Sequence, residues 1–389
     1  MEIQGKVILK KGRDASARRY HPWIFSGAIH AIEGQPVDGD WVEVLDSTHH
    51  VVGYGHYQKG TITVRLLSFG NLPTDRFYVD KIVSAWQQRI ASKVMTEFTN
   101  CFRLVNGEGD GLAGLIMDVY DGVVVMQAHS PGMHKDRNTI ATATQEAIKK
   151  VQAIYFKSQN NPGEKTENEY LVGMGAVPHV VLEHGHRFYV DWEEGQKTGF
   201  FLDQRENRRL VGEMARGKIV LNTFCYSGGF SVYALIGGAA VVHSVDASEK
   251  AVALTKKNLK LNGFDSGLHL SMSGDTFEFL KDKKDQYDLI ILDPPAFAKH
   301  KDARHQAMKG YQRLNAEAMR VIKPQGIIFT FSCSQVVDRQ LFYDTVVSSA
   351  IQSGREIKVL DQLSQPADHP VSIYHPEGEY LKGLVLYVN

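Results

Sequence analysis

The chain has 389 residues, 43% of them hydrophobic and 23% charged, which excludes a disordered or fibrous chain and, at roughly 150 residues per domain, implies two or three domains. Its 44 basic and 44 acidic residues cancel, so bulk charge does not make it a polyanion binder and any nucleic-acid contact must come from local patches. Three cysteines without a C-x-x-C pair exclude a disulfide framework and a cysteine-based metal site; with no long apolar run and no signal-peptide core, a cytoplasmic protein without membrane segments is expected.

Residues 1–70 read as short β segments cut by glycines: "KVILKKG", "GDWVEVLD", "VVGYGHY" and "TITVRLLSF". The first 19 residues carry a net +4, from Lys6, Lys10, Lys11, Arg13, Arg18 and Arg19 against Glu2 and Asp14; this is a candidate nucleic-acid patch or a solvated basic face, and charge alone favours the latter. Residues 71–185 read as a mixed α+β region. A helix over "TDRFYVDKIVSAWQQRIASKVM" has Asp75, Tyr78, Ile82 and Trp86 spaced for one face; strands with glycine turns follow in "CFRLVNGEGDGLAGLIMDVYDGVVVMQAH", then a helix in "NTIATATQEAIKKV". Over residues 186–389 strands alternate with helices, the pattern of a parallel sheet with crossover helices. Seven strands are expected, in "KIVLNTF", "AVVHSVD", "LHLSMSGD", "YDLIILD", "GIIFTFSC", "REIKVLDQ" and "YLKGLVLYV". Between them "SEKAVALTKKNLKLNG" is a helix with Ser248 as N-cap and Gly263 just past its end. The fold class is therefore α/β, a doubly wound Rossmann-like sheet behind a small β module and an α+β region.

Such a sheet binds its ligand beyond the carboxyl ends of its strands. The first strand ends in "LNTFCYSGGFSVYAL", where Gly228 and Gly229 permit a tight turn and close ligand approach. The G-x-G-x-x-G spacing is absent, which argues against hydride transfer. Asp246 ends the second strand 18 residues after Gly228, close to the offset at which a carboxylate takes ribose hydroxyls; a helix cap is the plainer reading, and the glycine turn favours the ribose. Asp275, after the third strand, is either an acceptor for an adenine amino group or an N-cap.

The fourth strand ends in "ILDPPAFAKHK", the most specific motif of the chain. Pro294 and Pro295 lack N–H donors and stiffen the turn that presents Asp293; a carboxylate, two prolines and Phe297 suit gripping and stacking a flipped-out base. Lys299, His300, Lys301, Arg304 and His305 follow, as phosphate contacts or as a solvated loop. The fifth strand ends at Cys333. A lone cysteine is usually a small core residue, but this one sits between Ser332 and Ser334 ahead of a helix starting near Asp338, and a helix N-terminus favours the thiolate. Strands four and five are expected to be parallel neighbours, which brings Asp293 and Cys333 to one cleft. Cys225 lies in the glycine turn, where it would stand against the cofactor, and Cys101 lies in an apolar strand, as packing.

Together these residues resemble the bacterial cytosine-C5 methyltransferases of large-subunit (23S) ribosomal RNA, among the class I S-adenosylmethionine-dependent methyltransferases, and the likeness spans the chain. "HPWIFSGAI", "GDWVEVLD" and "VRLLSF" look like that family's PUA domain; "RLVNGEGDGLAGLIMDVYDG" looks like its central α+β domain; "GQKTGFFLDQRENR" and "ADHPVSIYHPEGEYLKGLVL" are similar as well. The resemblance implies an RNA-binding β barrel over 1–70, a central domain over 71–185 and a methyltransferase domain over 186–389. It implies S-adenosylmethionine as cofactor, ribosomal RNA as partner, and neither membrane nor metal, with a homodimer left open. Lys197, Thr198, Phe200, Asp203, Gln204 and Arg205 would shape the pocket. Asn222, Phe224, Tyr226, Ser227, Gly228, Asp246, Ser248, Asp275 and Asp293 complete the expected cofactor site, and Pro294, Pro295, Phe297, Lys299 and Lys301 the substrate site. "DPPAF" departs from the lysine-bearing form of many members. A sister family acting on guanine N7 shares the "DPP" turn without the cysteine, so Cys333 favours cytosine. Cys333 would then add to C6 of cytosine and Asp293 would hold the base. The competing readings are methylation of guanine N7 or adenine N6, and a non-catalytic RNA-binding or ribosome-assembly protein with a vestigial fold.

Overall fold

The computed structural model describes residues 2–158, 168–264, 267–281, 283–298 and 300–389, and of Lys301 the backbone alone. The chain forms two compact units. The first comprises Met1–Val181, Val190–Phe200 and Ala367–Gly378; the second comprises Leu182–Tyr189, Phe201–Pro366 and Glu379–Asn389.

In the first unit, six strands pair in the order Trp23–Phe25, Ile62–Phe69, Val51–Tyr57, Trp41–Leu45, Gly5–Leu9, Ile29–Gly34. Four of them are the expected segments, rich in valine and isoleucine; the two others fall in "WIF" and "IHAIEG", too short or too polar to announce themselves. A second sheet of five strands follows, Glu169–Val172, Ala153–Phe156, Val123–Ala128, Leu115–Tyr120 and Cys101–Asn106, with helices Phe77–Ala91 and Arg137–Ala147. Trp41, Tyr54 and Leu67 of the β module share one buried cluster with Tyr78, Ile82, Phe102 and Met126. Asp136 fastens the two parts, accepting from Trp41 Nε1 at 2.9 Å and from Tyr78 OH at 2.5 Å. Asp75 is not on the helix's inner face. A turn closed by the Phe77 N–H on the Thr74 carbonyl precedes the helix and leaves Asp75 exposed.

In the second unit all seven expected strands form one sheet. In spatial order they are His269–Ser273, Val241–Asp246, Ile219–Thr223, Leu289–Leu292, Gly326–Ser332, Lys382–Val388 and Ile357–Leu363, that is, third, second, first, fourth, fifth, seventh, sixth. The first five run parallel, and the seventh is antiparallel to both of its neighbours. Leu221, Ile290, Ile328 and Leu386 of the sheet pack on Leu314 and Phe342 of helices Arg304–Val321 and Arg339–Ser353. Every residue of the fourth and fifth strands is buried, which is why those two read as continuous apolar runs. The helix Glu249–Leu261 is capped by Ser248, whose side chain accepts from the Ala251 N–H, and Gly263 beyond its end is left-handed with φ 87°. Strand order reverses between the first and fourth strands, so the cleft of this unit opens above them. Among the described residues no helix is long and apolar enough to cross a membrane.

Candidate active site

The fourth and fifth strands are parallel neighbours with Leu292 opposite Thr330, so Asp293 and Cys333 follow the carboxyl ends of adjacent strands. Both are half-buried. Asp293 is oriented from the segment ahead of the sheet: Gln204 Nε2 donates to Asp293 Oδ1 at 3.0 Å, and Asn207 Nδ2 donates to Gln204 Oε1 at 2.6 Å. That second bond fixes which end of the Gln204 amide meets the carboxylate. Tyr380 OH donates to Asp203 Oδ2 at 2.8 Å, which ties in the same segment. Pro294 is buried and Pro295 exposed, as a rigid turn with one face to solvent requires. Ser334 Oγ donates to the Ala298 carbonyl at 2.6 Å, locking the loop after Asp293 to the loop after Cys333.

Phe297 packs on Tyr311 with ring centroids 4.6 Å apart, against Gly310, where a Cβ would come within 2.9 Å of the ring. This contact occupies one side of the ring, so only its remaining surface can meet a base. Lys299 lies outside the described residues, as does the Lys301 side chain.

The helix after Cys333 begins at Arg339, and Asp338 caps it by accepting from the Leu341 N–H at 2.8 Å. That helix end already has its own anion. Among the described residues, a cation held at the cysteine loop is Lys382, which the sequence reading passed over. Lys382 stands on the seventh strand directly opposite Ser332, is 3% exposed, and donates from Nζ to the carbonyls of Ser334 and Tyr380, each at 2.7 Å. Burial pulls its pKa down to about 8, against the opposing pull of Cys333. Its one signal in the sequence was a charge in the middle of "YLKGLVLYV", a run otherwise built for burial. Cys225 hydrogen-bonds Thr255 at 3.5 Å, and burial pushes its thiol up to about 12; Cys101 is fully buried.

The first strand end is strained. Phe224 and Tyr226 are left-handed, with φ 55° and 45°, and so is Gly228, at 74°. For the two bulky residues this costs about 1–3 kcal/mol each, a cost that clusters at ligand sites. A Cβ on Gly228 would lie 2.6 Å from Thr255 Cγ2, so only glycine fits. Thr255 Oγ1 donates to the Tyr226 carbonyl at 3.0 Å and Asn258 Nδ2 to the Ser227 carbonyl at 2.8 Å, which holds the turn in place. Phe201 meets Tyr226 edge-on at 5.0 Å.

Asp246 accepts from the backbone N–H of Tyr226 and of Ser248, both at 2.9 Å. A carboxylate offers about four acceptor sites, so two remain for ligand hydroxyls. Asn222 gives its Nδ2 to Ser231 at 2.8 Å, while its buried Oδ1 has no hydrogen-bond partner among the described residues. Asp275 does act as an N-cap, accepting from the Glu278 N–H at 3.0 Å, and is exposed. A strained turn, a glycine-only cradle, a carboxylate with free lone pairs and an orphaned buried acceptor fit a ribose-bearing cofactor.

Lys197, Thr198 and Phe200 belong to the first unit, whereas Asp203, Gln204 and Arg205 belong to the second. Thr198 Oγ1 donates to Asp118 at 2.6 Å beside Tyr120 OH at 3.0 Å, Phe200 is buried, and Lys197 is exposed. Arg205 is buried; Arg208, three residues on, was missed. Arg208 pairs with Glu183 through Nε at 2.8 Å and Nη2 at 2.6 Å, gives Nη1 to the Phe201 carbonyl at 2.9 Å, and lies under Gly229. Burial opposes its charge, and Glu183 more than restores it.

In the first unit His21, His375 and Glu377 place potential ligand atoms within 4.8 Å of one another. His21 Nδ1 accepts the Trp23 N–H at 3.2 Å, which puts the ring proton on Nε2, facing Glu377 at 3.5 Å; the grouping is a hydrogen-bonded one.

Residues 112–379 match the family model of S-adenosylmethionine-dependent methyltransferases, and residues 7–69 match that of PUA-like domains. The chain is 36% identical over 393 residues to ribosomal RNA large subunit methyltransferase I of Shewanella amazonensis, covering 98% of this chain and 99% of the relative. It is 37% identical over 395 residues to the protein of that name from Pseudoalteromonas atlantica, covering 99% of this chain and all of the relative. A solved SAM-dependent methyltransferase from Streptococcus mutans superposes with a TM-score of 0.85 at 23% identity over the whole of both chains, and a methyltransferase solved in complex with SAH with 0.86 at 24%. The sheet order, the strained glycine turn and these full-length relatives agree, and the chain belongs to the S-adenosylmethionine-dependent methyltransferases, in the family of ribosomal RNA large subunit methyltransferase I.

Proposed function

We propose that the protein methylates C5 of a cytosine in large-subunit ribosomal RNA through a covalent adduct between Cys333 and C6 of the base. The observation that carries this reading is the pairing of a half-buried cysteine and an amide-oriented aspartate at adjacent strand ends. Guanine N7 and the adenine amino group bring their own lone pair to a methyl group and need no thiol. C5 of cytosine does not, and thiolate addition at C6 turns it into an enamine-like carbon.

Bound S-adenosylmethionine supplies an electrophilic methyl group. Asp246 and the 224–228 turn are the residues that would hold it. Asp293, fixed by Gln204, would accept from the amino group of the base and share a proton with N3, and that proton neutralises the negative charge that develops on the ring as sulfur adds. Pro294 and Pro295 deny that turn the freedom to follow the base, which holds C6 near the thiol. Loss of the C5 proton then expels the cysteine. The full-length relatives' name supports ribosomal RNA as substrate, and the match of residues 7–69 to PUA-like domains supports an RNA-binding role for the β module.

The test is nucleoside mass spectrometry of ribosomal RNA after incubation with enzyme and cofactor: 5-methylcytosine is expected, and 7-methylguanine or N6-methyladenine sinks the proposal. For the cofactor pocket, Asp246→Ala is expected to weaken S-adenosylmethionine binding by about 1.5–3 kcal/mol, through a lost charge-assisted hydrogen bond. Calorimetry showing unchanged affinity would leave Asp246 a purely structural tie between Tyr226 and Ser248.

A further inference from the structure

A cysteine at a strand end needs a reason to be a thiolate near neutral pH, because its ordinary pKa of about 8.5 leaves only a few per cent ionised. The helix that follows does not supply it, since Asp338 occupies that N-terminus. Tyr311, beneath Asp293 and Cys333, does not supply it either: burial pushes its phenol up to about 12, so it stays protonated. Among the described residues, Lys382 is the basic group held against the loop that carries the thiol, bonded to the carbonyl of Ser334 and in register with Ser332. The other charges that reach it are Glu379 and Asp338, which favour the ammonium, and Arg339, which opposes it and is itself bonded to Glu379 from Nε at 2.8 Å.

We propose that Lys382 takes the proton of the Cys333 thiol and holds the resulting thiolate as an ion pair. Its surroundings suit both protonation states. As a neutral amine it keeps its two N–H bonds to the Ser334 and Tyr380 carbonyls and has a lone pair for the thiol; as an ammonium it keeps both and gains a third N–H for the thiolate. The first of those carbonyls belongs to Ser334, the residue after the cysteine, and Lys382 stands in register with Ser332, the residue before it. The nearly complete burial of the amine makes its ammonium weak enough to exchange a proton with a thiol, as Lys382 then titrates close to an ordinary cysteine.

The step balances. The S–H bond breaks and its proton joins the nitrogen lone pair; the electron pair left on sulfur forms the bond to C6 as the C5–C6 double-bond pair moves to C5, where it forms the bond to the methyl group. When the C5 proton is later lost to solvent, its bonding pair restores the C5–C6 double bond, and the S–C6 pair returns to sulfur. The cysteine leaves as a thiolate against the same ammonium and needs no new deprotonation before the next turnover.

This role rests on the cytosine reading for its use, but its test does not. The intact protein, without RNA or cofactor, is pulsed with iodoacetamide across a range of pH, and alkylation at Cys333 is read by peptide mass spectrometry. The wild-type midpoint is expected below the ordinary cysteine value of about 8.5. In Lys382→Met it should rise by at least about one pH unit, roughly a tenfold loss of thiolate at neutral pH. Lys382→Arg, which keeps the charge, should hold the midpoint near that of the wild type. A wild-type midpoint at or above about 8.5 overturns the proposal even if Lys382→Met fails to fold. An unmoved midpoint in Lys382→Met overturns it too, as does Lys382→Arg titrating like methionine. A methyl mark on some other base would remove the cytosine reading and leave the shifted midpoint standing.

Discussion

Cys333→Ala is expected to abolish methyl transfer while leaving cofactor affinity and the fold nearly intact. The thiol is half-buried at a strand end, so its removal opens little cavity, whereas without a nucleophile at C6 the cytosine C5 carbon has no route to a methyl group. The expected loss is at least about a thousandfold, the scale seen when a covalent nucleophile is deleted from an enzyme. Cys225→Ala and Cys101→Ala are the controls. Cys225 titrates only near 12 and Cys101 is fully buried, so neither should remove chemistry outright. RNA carrying 5-fluorocytosine sharpens the test, because fluorine cannot leave as a proton does and the adduct should accumulate on a denaturing gel. An adduct that still forms in Cys333→Ala would move the nucleophile elsewhere.

The second large effect is on stability. Arg208→Ala should destabilise the second unit by about 3–5 kcal/mol, because it strands Glu183 as an unpaired charge in the interior. Glu183 has no solvent exposure, and among the described residues Tyr233 OH, 3.1 Å from Oε1, is left to it. Arg208→Met combined with Glu183→Leu should recover most of the loss, since two apolar groups leave no charge behind. All four tryptophans, Trp23, Trp41, Trp86 and Trp192, lie in the first unit, so fluorescence would miss the change. Hydrogen exchange of peptides from the seven-stranded sheet is the suitable measurement. Protection within about 1 kcal/mol of wild type in Arg208→Ala would mean that water reaches Glu183 in its place.

What could be read from the sequence followed from chain-local rules. Ser248 and Gly263 bracket their helix because capping depends on the nearest few residues, and Asp293 could be placed beside Cys333 because consecutive βα units make parallel neighbours. What could not be read depended on partners far along the chain. Lys382 meets the cysteine loop because the seventh strand turns antiparallel and enters beside the fifth, a choice no periodicity encodes. Arg208 and Glu183 are 25 residues apart, and each reads singly as a surface charge. Thr198 and Asp203 are near neighbours in "KTGFFLDQ" yet fall in different units, a division that contiguity along the chain does not reveal.

The seventh strand also sets an order of assembly. Synthesis delivers it after the other six, yet on that side of the sheet it is the neighbour of both the fifth and the sixth strand. About 50 residues separate Ser332 from its partner Lys382, which at 5–20 residues per second is on the order of 3–10 s of translation. For that interval the growing sheet ends at the fifth strand in an open row of backbone donors and acceptors, the kind of edge that recruits wrong partners. The same wait keeps Cys333 without Lys382, so under the role proposed for that lysine the cysteine gains its activating partner only when the last strand docks.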